Sequence, residues 1–224
     1  MQTIIIINNR DVNMMNIAIW GAGSGLGAAM VDYFHGQGFN VIAIARNPSK
    51  NPKITDYNLT SIACDATDKT QVENAVALLP ENTVNISTMG SFHADIPVDY
   101  IGHRYLIDAL EQSSSNRLLL ITSLGCGDSW QFLSDRAKQV FGGALREKTL
   151  AEAWLQSSGL DYTILRPAGL KDGAPTHQGQ LSQNREVHGA ITRSEVARLS
   201  HQLLLNNDNF GQIFQCVDPN IAAY

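Results

Sequence analysis

Three glycines, Gly21, Gly25 and Gly27, interrupt an apolar stretch near the start of the chain. Residues 17–20 read IAIW, which is typical of a strand buried in a parallel sheet, and the residues from Gly25 to about His35 carry apolar side chains at helical spacing. A glycine turn between such elements lets a pyrophosphate lie against free N–H groups at the helix N-terminus. The pattern therefore predicts a dinucleotide-binding loop, rather than a turn that only joins strand to helix. The loop also contains Gly23, Ser24 and Leu26.

The residue after the next apolar run has a positively charged side chain. Residues 39–45 read FNVIAIA, which predicts a second buried strand, and Arg46 comes directly after it. An NAD-specific protein places Asp or Glu here to bind the ribose 2′-hydroxyl, whereas a guanidinium suits a 2′-phosphate. With Asn47 and Ser24 as neutral donors, these residues favour NADP(H). The alternative is a solvated surface arginine.

Ser123 follows the aliphatic run at residues 117–122, RLLLIT. Ligands of open α/β sheets bind beyond the carboxyl ends of the strands, so this hydroxyl is placed to orient a substrate carbonyl or a bound water. Thr122 competes for the same role, and either hydroxyl could simply cap the strand end.

Residues 125–143 are longer than a tight connection requires, and they contain Trp130 and Phe132. These two aromatic residues predict an apolar wall over a flat substrate. In the alternative interpretation the segment is a short helix anchored to the core by Phe132, Leu133, Val140 and Phe141.

Strand and helix patterns alternate along the rest of the chain. Strands are expected at 61–64, 84–89, 117–122, 160–165 and 212–217, and helices at 67–79, 100–113, 143–157 and 191–205. Gly159 is expected to cap one helix at its C-terminus, and Thr192 with Glu195 to form a capping box at the start of another. This alternation predicts an α/β fold, a single Rossmann-type doubly wound parallel sheet with helices on both faces.

Length and composition limit the alternatives. The 224 residues suit one domain, which we place at 16–224 with small C-terminal loops on the substrate side. Residues 1–15 are interpreted as a dispensable N-terminal arm. A net charge of −5 without a basic block argues against a nucleic-acid partner, and no apolar run is long enough to span a membrane.

Cysteine and histidine positions give no metal site. Cys64, Cys126 and Cys216 are too scattered for metal ligation, as are the loop histidines His93, His177 and His188. Three dispersed thiols are typical of a cytoplasmic protein, expected here as a monomer or homodimer.

From Asn16 onward the chain resembles the short-chain dehydrogenase/reductase superfamily. The glycine motif matches as it stands, CDATD at 64–68 is similar to the acidic turn after the third strand, and ITSLG at 121–125 resembles the end of the fifth. KTLAE at 148–152 and SGLDYTILRPAGL at 158–170 resemble the atypical branch that includes NmrA-like and biliverdin reductase B-like proteins.

The resemblance implies roles for further residues. Ser123 occupies the catalytic serine position, and Lys148 would hold the nicotinamide ribose hydroxyls. A plain intrahelical ion pair between Lys148 and Glu152 is the alternative. The resemblance also implies cofactor contacts at Asp65 and Ala66 near the adenine, at Met89, Gly90 and Ser91, at Thr122, and at Pro167, Ala168 and Gly169 near the nicotinamide.

One position departs from the superfamily. The tyrosine usually found four residues before the lysine is Ala144 here, and no tyrosine lies between Ser123 and Lys148. Because that phenol normally relays a proton to the substrate oxygen, alcohol–ketone interconversion by the usual mechanism is not expected.

Two functions remain compatible with these residues. The first is an NADPH-dependent reductase of a conjugated small-molecule acceptor, such as a flavin, a bilin or a quinone, whose ring system spreads the charge. The second is a non-catalytic NADP(H)-binding redox sensor or assembly factor. A nucleotide-sugar epimerase or dehydratase is disfavoured, because little sequence follows Leu170 to build a substrate domain.

Overall fold

The computed structural model describes residues 15–91 and 96–222, which form ten strands and six α-helices. The strands are β1 (Asn16–Trp20), β2 (Asn40–Ala45), β3 (Thr60–Ala63), β4 (Val84–Ser87), β5 (Arg117–Ile121), β6 (Asp161–Pro167), β7 (Gly169–Lys171), β8 (Gln180–Ser182), β9 (Ala190–Thr192) and β10 (Gln212–Val217). The helices are α1 (Gly25–Gly36), α2 (Pro52–Asp56), α3 (Lys69–Ala77), α4 (Val98–Leu110), α5 (Asp135–Gln156) and α6 (Arg193–Leu204).

The main sheet has the strand order β3-β2-β1-β4-β5-β6-β10-β8. All neighbouring pairs are parallel except β10 with β8, which closes one edge as an antiparallel pair. The order reverses between β1 and β4, so the connections leave a crevice beyond the carboxyl ends of these two strands. A second, two-stranded parallel sheet pairs β7 with β9. The predicted fold class is confirmed.

Alternating side chains of β1 enter different halves of the core. Ile17 and Ile19 pack in the cluster that contains the apolar faces of α1 and α6. Ala18 and Trp20 pack in the opposite cluster, against α3, α4 and α5. The sheet is therefore covered on both faces, which explains why its central strands are apolar throughout.

The helix predicted at 143–157 begins eight residues earlier, at Asp135. Gly142 lies inside the helix although glycine disfavours a helix interior, and an added Cβ there would come within 3.2 Å of the Trp130 ring. The predicted C-cap was also wrong. Ser157 caps the helix, whereas the N–H of Gly159 donates to Glu111 Oε1 at 2.7 Å.

Only the N-cap half of the predicted capping box forms. Thr192 Oγ1 accepts from the N–H of Glu195 at 3.2 Å, as expected. The Glu195 carboxylate instead accepts from the N–H groups of His177 and Gly179, at 3.0 and 2.8 Å. Burial raises the pKa of Glu195, but the hydrogen bonds from Arg198, Gly179 and His177 outweigh burial and lower it. This carboxylate therefore fixes the loop before β8.

The N-terminal arm lies outside the described residues except for Met15. The Met15 carbonyl accepts from the N–H of Asn40 at 3.2 Å, and its side chain packs against the core, so Met15 belongs to the domain. The dispensability of residues 1–14 stays a prediction. Within the described chain, no helix is long and apolar enough to cross a membrane.

Candidate functional site: a dinucleotide cleft

A cleft of about 1170 Å³ lies beyond the carboxyl ends of the parallel strands. It runs from the connection after β2, past the glycine loop, to the segments after β5 and β8. This volume exceeds that of an ordinary small-ligand pocket.

The glycine loop adopts the backbone that its spacing predicts. Gly21 and Gly25 have φ values of +88° and +54°, which L side chains rarely adopt. A Cβ on Gly27 would come within 2.1 Å of the Gly21 carbonyl oxygen, so Gly27 permits α1 to pack against the loop. Gly27 is not among the residues that line the cleft, and its close approach to the cofactor stays a prediction.

The N-terminus of α1 opens into the cleft. Ser24 is its N-cap residue, and the Ser24 side chain makes no capping hydrogen bond. The first turn contains no acidic residue that would repel an anion. Its free backbone N–H groups and the positive end of the helix dipole therefore favour the binding of an anionic group such as a phosphate.

Arg193 adds a cation to this loop that we did not identify from the sequence. Its Nε is buried without a hydrogen-bond partner among the described residues, and it lies 4.0 Å from the position of a Cβ on Gly25. One terminal nitrogen, Nη1, pairs with the exposed Asp172 at 2.7 Å. A buried donor beside an anion-binding loop fits a pyrophosphate, since a buried donor without a partner is costly.

The connection after β2 supplies further cations. Arg46 and Asn47 line the cleft as expected, together with Lys50, which we did not predict. Across from them, Asp65 accepts hydrogen bonds from the N–H and hydroxyl of Thr67, at 3.0 and 2.8 Å. These bonds lower the pKa of Asp65 against the effect of burial, and the charge of Arg46 contributes, so the carboxylate is ionised.

Lys148, at the other end of the cleft, contacts the segment after β4 and the start of α4. Its Nζ donates to the Met89 carbonyl at 3.1 Å and forms an ion pair with Asp99 Oδ1 at 2.9 Å. Glu152 pairs instead with Arg166, at 2.6 Å, so the intrahelical Lys148–Glu152 pair was wrong.

The two adjacent hydroxyls after β5 have different partners. Thr122 is buried and donates to Glu152 Oε1 at 2.6 Å, which gives it a structural task. Ser123 is half-buried, lines the cleft, and donates only to the neighbouring Leu124 carbonyl at 3.0 Å. Ser123 is therefore the hydroxyl that a ligand can engage by replacing one local hydrogen bond.

The apolar wall is built differently from the expectation. Residues 127–132 form a 3₁₀ segment, and α5 follows. Phe132 lines the cleft, as do Leu133 and Phe141. Trp130 does not line the cleft; it packs on α5, with the Arg146 guanidinium 5.1 Å from its ring centre. The apolar wall is thus formed by Phe132, Leu133 and Phe141, and Trp130 is not part of it.

The structure brings most of the predicted site residues to one cleft. Apart from Gly27 and Trp130, every predicted cofactor, catalytic and substrate residue lines it: Gly21, Gly23, Ser24, Gly25, Leu26, Arg46, Asn47, Asp65, Ala66, Met89, Gly90, Ser91, Thr122, Ser123, Phe132, Lys148, Pro167, Ala168 and Gly169. Ala144, at the tyrosine position, also lines it. The described residues contain no cluster of three or more potential metal ligands, and His93 lies outside them.

Known proteins resemble this chain over most of its length. The NAD(P)H-binding family model matches residues 21–207. ChuY, an anaerobilin reductase from Escherichia coli O157:H7, is 40% identical with a TM-score of 0.83, and the alignment covers 94% of this chain and all of that one. A short-chain dehydrogenase/reductase from Veillonella parvula in complex with NADP shares the fold at 17% identity, with a TM-score of 0.75 and coverage of 93% and 97%.

Two curated plant proteins match shorter parts. Protein TIC 62 of Arabidopsis thaliana is 31% identical over 73% of this chain, and sanguinarine reductase of Eschscholzia californica is 32% identical over 48%. The alignments span only 27% and 40% of those proteins, less than half of each. With its glycine loop, strand order and cleft, the chain belongs to the NAD(P)H-binding family.

Proposed function

We propose that the protein is an NADPH-dependent reductase of a conjugated small-molecule acceptor. The observation that carries this proposal is the continuity of the cleft. The dinucleotide loop leads directly to an apolar half lined by Phe132, Leu133 and Phe141, with Ser123 beside it and Ala144 in place of the proton-relaying tyrosine. Such a site suits an acceptor with a flat, conjugated ring system that can take up a hydride without a phenol.

The residues present fit a dinucleotide. The open first turn of α1 and the buried Nε of Arg193 converge on the glycine loop. Arg46 and Lys50 both line the cleft after β2, and this pair of cations supports NADP(H) over NAD(H), because only NADP(H) carries a 2′-phosphate. Lys148 would donate to the hydroxyls of the nicotinamide ribose.

Bound NADPH would supply a hydride, and the acceptor would gain one proton from water. The protein's contribution is positioning. Lys148 is fixed by Asp99 and the Met89 carbonyl. Ser123 orients a polar edge of the acceptor, and the apolar wall excludes water from the ring face. Charge on the reduced acceptor is spread over its conjugated system, so no side chain must deliver a proton to one atom.

The 40% identity to an anaerobilin reductase supports a bilin-type acceptor among the candidates. Sanguinarine reductase is also named for a reductive reaction, although it matches only about half of this chain. Flavins and quinones share the flat conjugated character and remain the comparison substrates. We propose that the protein works in the cytoplasm, where its three buried cysteines stay reduced.

The test is a substrate panel. Purified protein is mixed with NADPH and with biliverdin, FMN or a quinone, and the nicotinamide absorbance band is followed. We expect oxidation of NADPH with at least one acceptor, and a lower rate in Ser123→Ala. Tight NADPH binding without oxidation across the panel would contradict the reductase and favour a non-catalytic sensor or assembly factor.

A further inference from the structure

Two segments meet at the acceptor end of the cleft. The 3₁₀ segment after β5 carries Asp128, and the loop after β8 carries Arg185 and His188, both of which line the cleft. The Nε of Arg185 lies 3.0 Å from Asp128 Oδ2, so an ion pair joins the two segments.

Asp128 is held by the buried side chain of Arg166. Its Oδ1 accepts from Arg166 Nη1 at 2.7 Å. Arg166 is only 2% exposed and is itself fixed by two hydrogen bonds to the buried Glu152, at 3.0 and 2.6 Å. These bonds raise the pKa of Arg166 although burial opposes them, so its charge is permanent. Asp128 is consequently held by Arg166, and it orients Arg185, with which it pairs.

Arg185 differs from Arg166 in exposure. Its side chain is 67% exposed and Asp128 is 47% exposed, so their ion pair is solvated and weak. Its Nε faces Asp128, while Nη1 and Nη2 have no partner among the described residues. A guanidinium presented this way can bind a carboxylate through two parallel hydrogen bonds at little cost.

Charge in the cleft opposes the charge of the chain. The chain has a net charge of −5, yet the described lining residues include five Lys or Arg and two Asp. Arg46, Lys50 and Arg193 line the part of the cleft that the proposed function assigns to the adenosine and phosphates, and Lys148 pairs with the buried Asp99. Of the five arginine and lysine residues that line the cleft, Arg185 is therefore the one available to bind an anion at the acceptor end.

We infer that the acceptor is a carboxylate-bearing conjugated molecule and that Arg185 binds its carboxylate. The ring system lies against Phe132 and Phe141, and the acidic side chain reaches the loop after β8. This inference rests on the proposed function for the location of the acceptor. It adds a charge requirement that the apolar wall alone does not impose.

The experiment compares biliverdin with its dimethyl ester, which has the same ring system without the negative charges. Each is titrated into the protein saturated with NADP⁺, and the dissociation constant is measured by absorbance. We expect the free acid to bind roughly tenfold more tightly than the ester, as one charge-assisted interaction implies. In Arg185→Gln the affinity for the acid falls roughly tenfold and that for the ester stays within about twofold.

Two variants serve as controls. Arg185→Lys keeps the positive charge but loses the planar guanidinium that can donate two parallel hydrogen bonds, so it should retain part of the preference for the acid. Arg136→Gln removes one positive charge from an exposed position of α5 outside the cleft lining, and it should leave both affinities unchanged. A fall in acid affinity as large in Arg136→Gln would mean a general charge effect and would overturn the inference.

The outcomes separate this inference from the proposed function, because binding is measured without turnover. Acid binding that depends on Arg185, without oxidation of NADPH by any acceptor of the panel, would support the site and refute the reductase. Reduction of acid and ester at equal efficiency in both wild type and Arg185→Gln would keep the reductase and overturn the site. Failure of the free acid to bind would also overturn it.

Discussion

Lys148 Nζ lies 2.9 Å from Oδ1 of Asp99, a carboxylate that is only 1% exposed. The other oxygen of Asp99 accepts from the N–H and the hydroxyl of Ser91, at 2.8 and 3.1 Å. Asp99 thus connects the start of α4 to α5 and to the backbone after β4. The lysine of α5 is thus positioned by an acid from a different helix, α4.

We predict that Asp99→Asn lowers the free energy of unfolding by about 3 kcal/mol. The substitution keeps the shape of the side chain but leaves the lysine charge, only 13% exposed, without its counter-ion. Urea denaturation measures the change. The double variant with Lys148→Met should lose less than the sum of the two single variants, and strict additivity would show that the pair is not coupled.

Arg46→Glu is expected to weaken NADPH binding more than tenfold and to leave NADH binding nearly unchanged or improved. The reason is that the reversed charge repels a 2′-phosphate, which NADH lacks. Dissociation constants for both dinucleotides, obtained by fluorescence titration, test this. Equal losses for the two dinucleotides would remove Arg46 from the 2′-phosphate site.

Arg193→Gln should behave differently, because the pyrophosphate is common to both dinucleotides. We expect NADPH and NADH to weaken by a similar factor, roughly tenfold. Asp172→Asn is the matched control, since Asp172 is 94% exposed and contacts the far end of the same guanidinium. That control should change neither affinity by more than about twofold. A selective loss of NADPH in Arg193→Gln would instead place Arg193 at the 2′-phosphate.

His103 predicts a pH dependence of stability. Burial, and then the charge of Lys148, lowers the pKa of His103 from 6.5 to about 4. Below pH 6.5 the unfolded chain takes up a proton that the folded protein excludes, so stability falls as the pH drops from about 6.5 to about 4. Above pH 6.5 this histidine contributes no dependence.

The slope expected from His103 is about 1.4 kcal/mol per pH unit in that window. His103→Gln removes the titrating group, so its unfolding free energy should decline less steeply with falling pH, whatever its stability at neutral pH. His188→Gln, at a histidine that is 62% exposed, should keep the wild-type slope. Parallel curves for wild type and His103→Gln would contradict the assignment.

Local patterns predicted the central elements well, because a strand buried on both faces must be apolar along its whole length. β1, β2 and β5 appear where IAIW, NVIAIA and RLLLI stand in the chain. The three-residue strands β7, β8 and β9 were missed, since each is defined by a distant partner and carries no pattern of its own. The early start of α5 was missed because Gly142 reads as a break until Trp130 is seen packed against it.

By itself, the sequence determined the doubly wound fold, the glycine loop and the absence of the usual tyrosine at Ala144, because each is written in consecutive residues or in a fixed spacing. The tertiary structure alone decided the partners of the charges. Lys148 forms an ion pair with Asp99, and Glu152 forms one with Arg166. Arg193 lies beside Gly25 of the glycine loop. Ionic contacts depend on side chains brought together from distant segments, and spacing along a helix suggested the wrong partner for Lys148. Burial then makes those contacts permanent, since a charge inside the fold cannot exchange its partner for water.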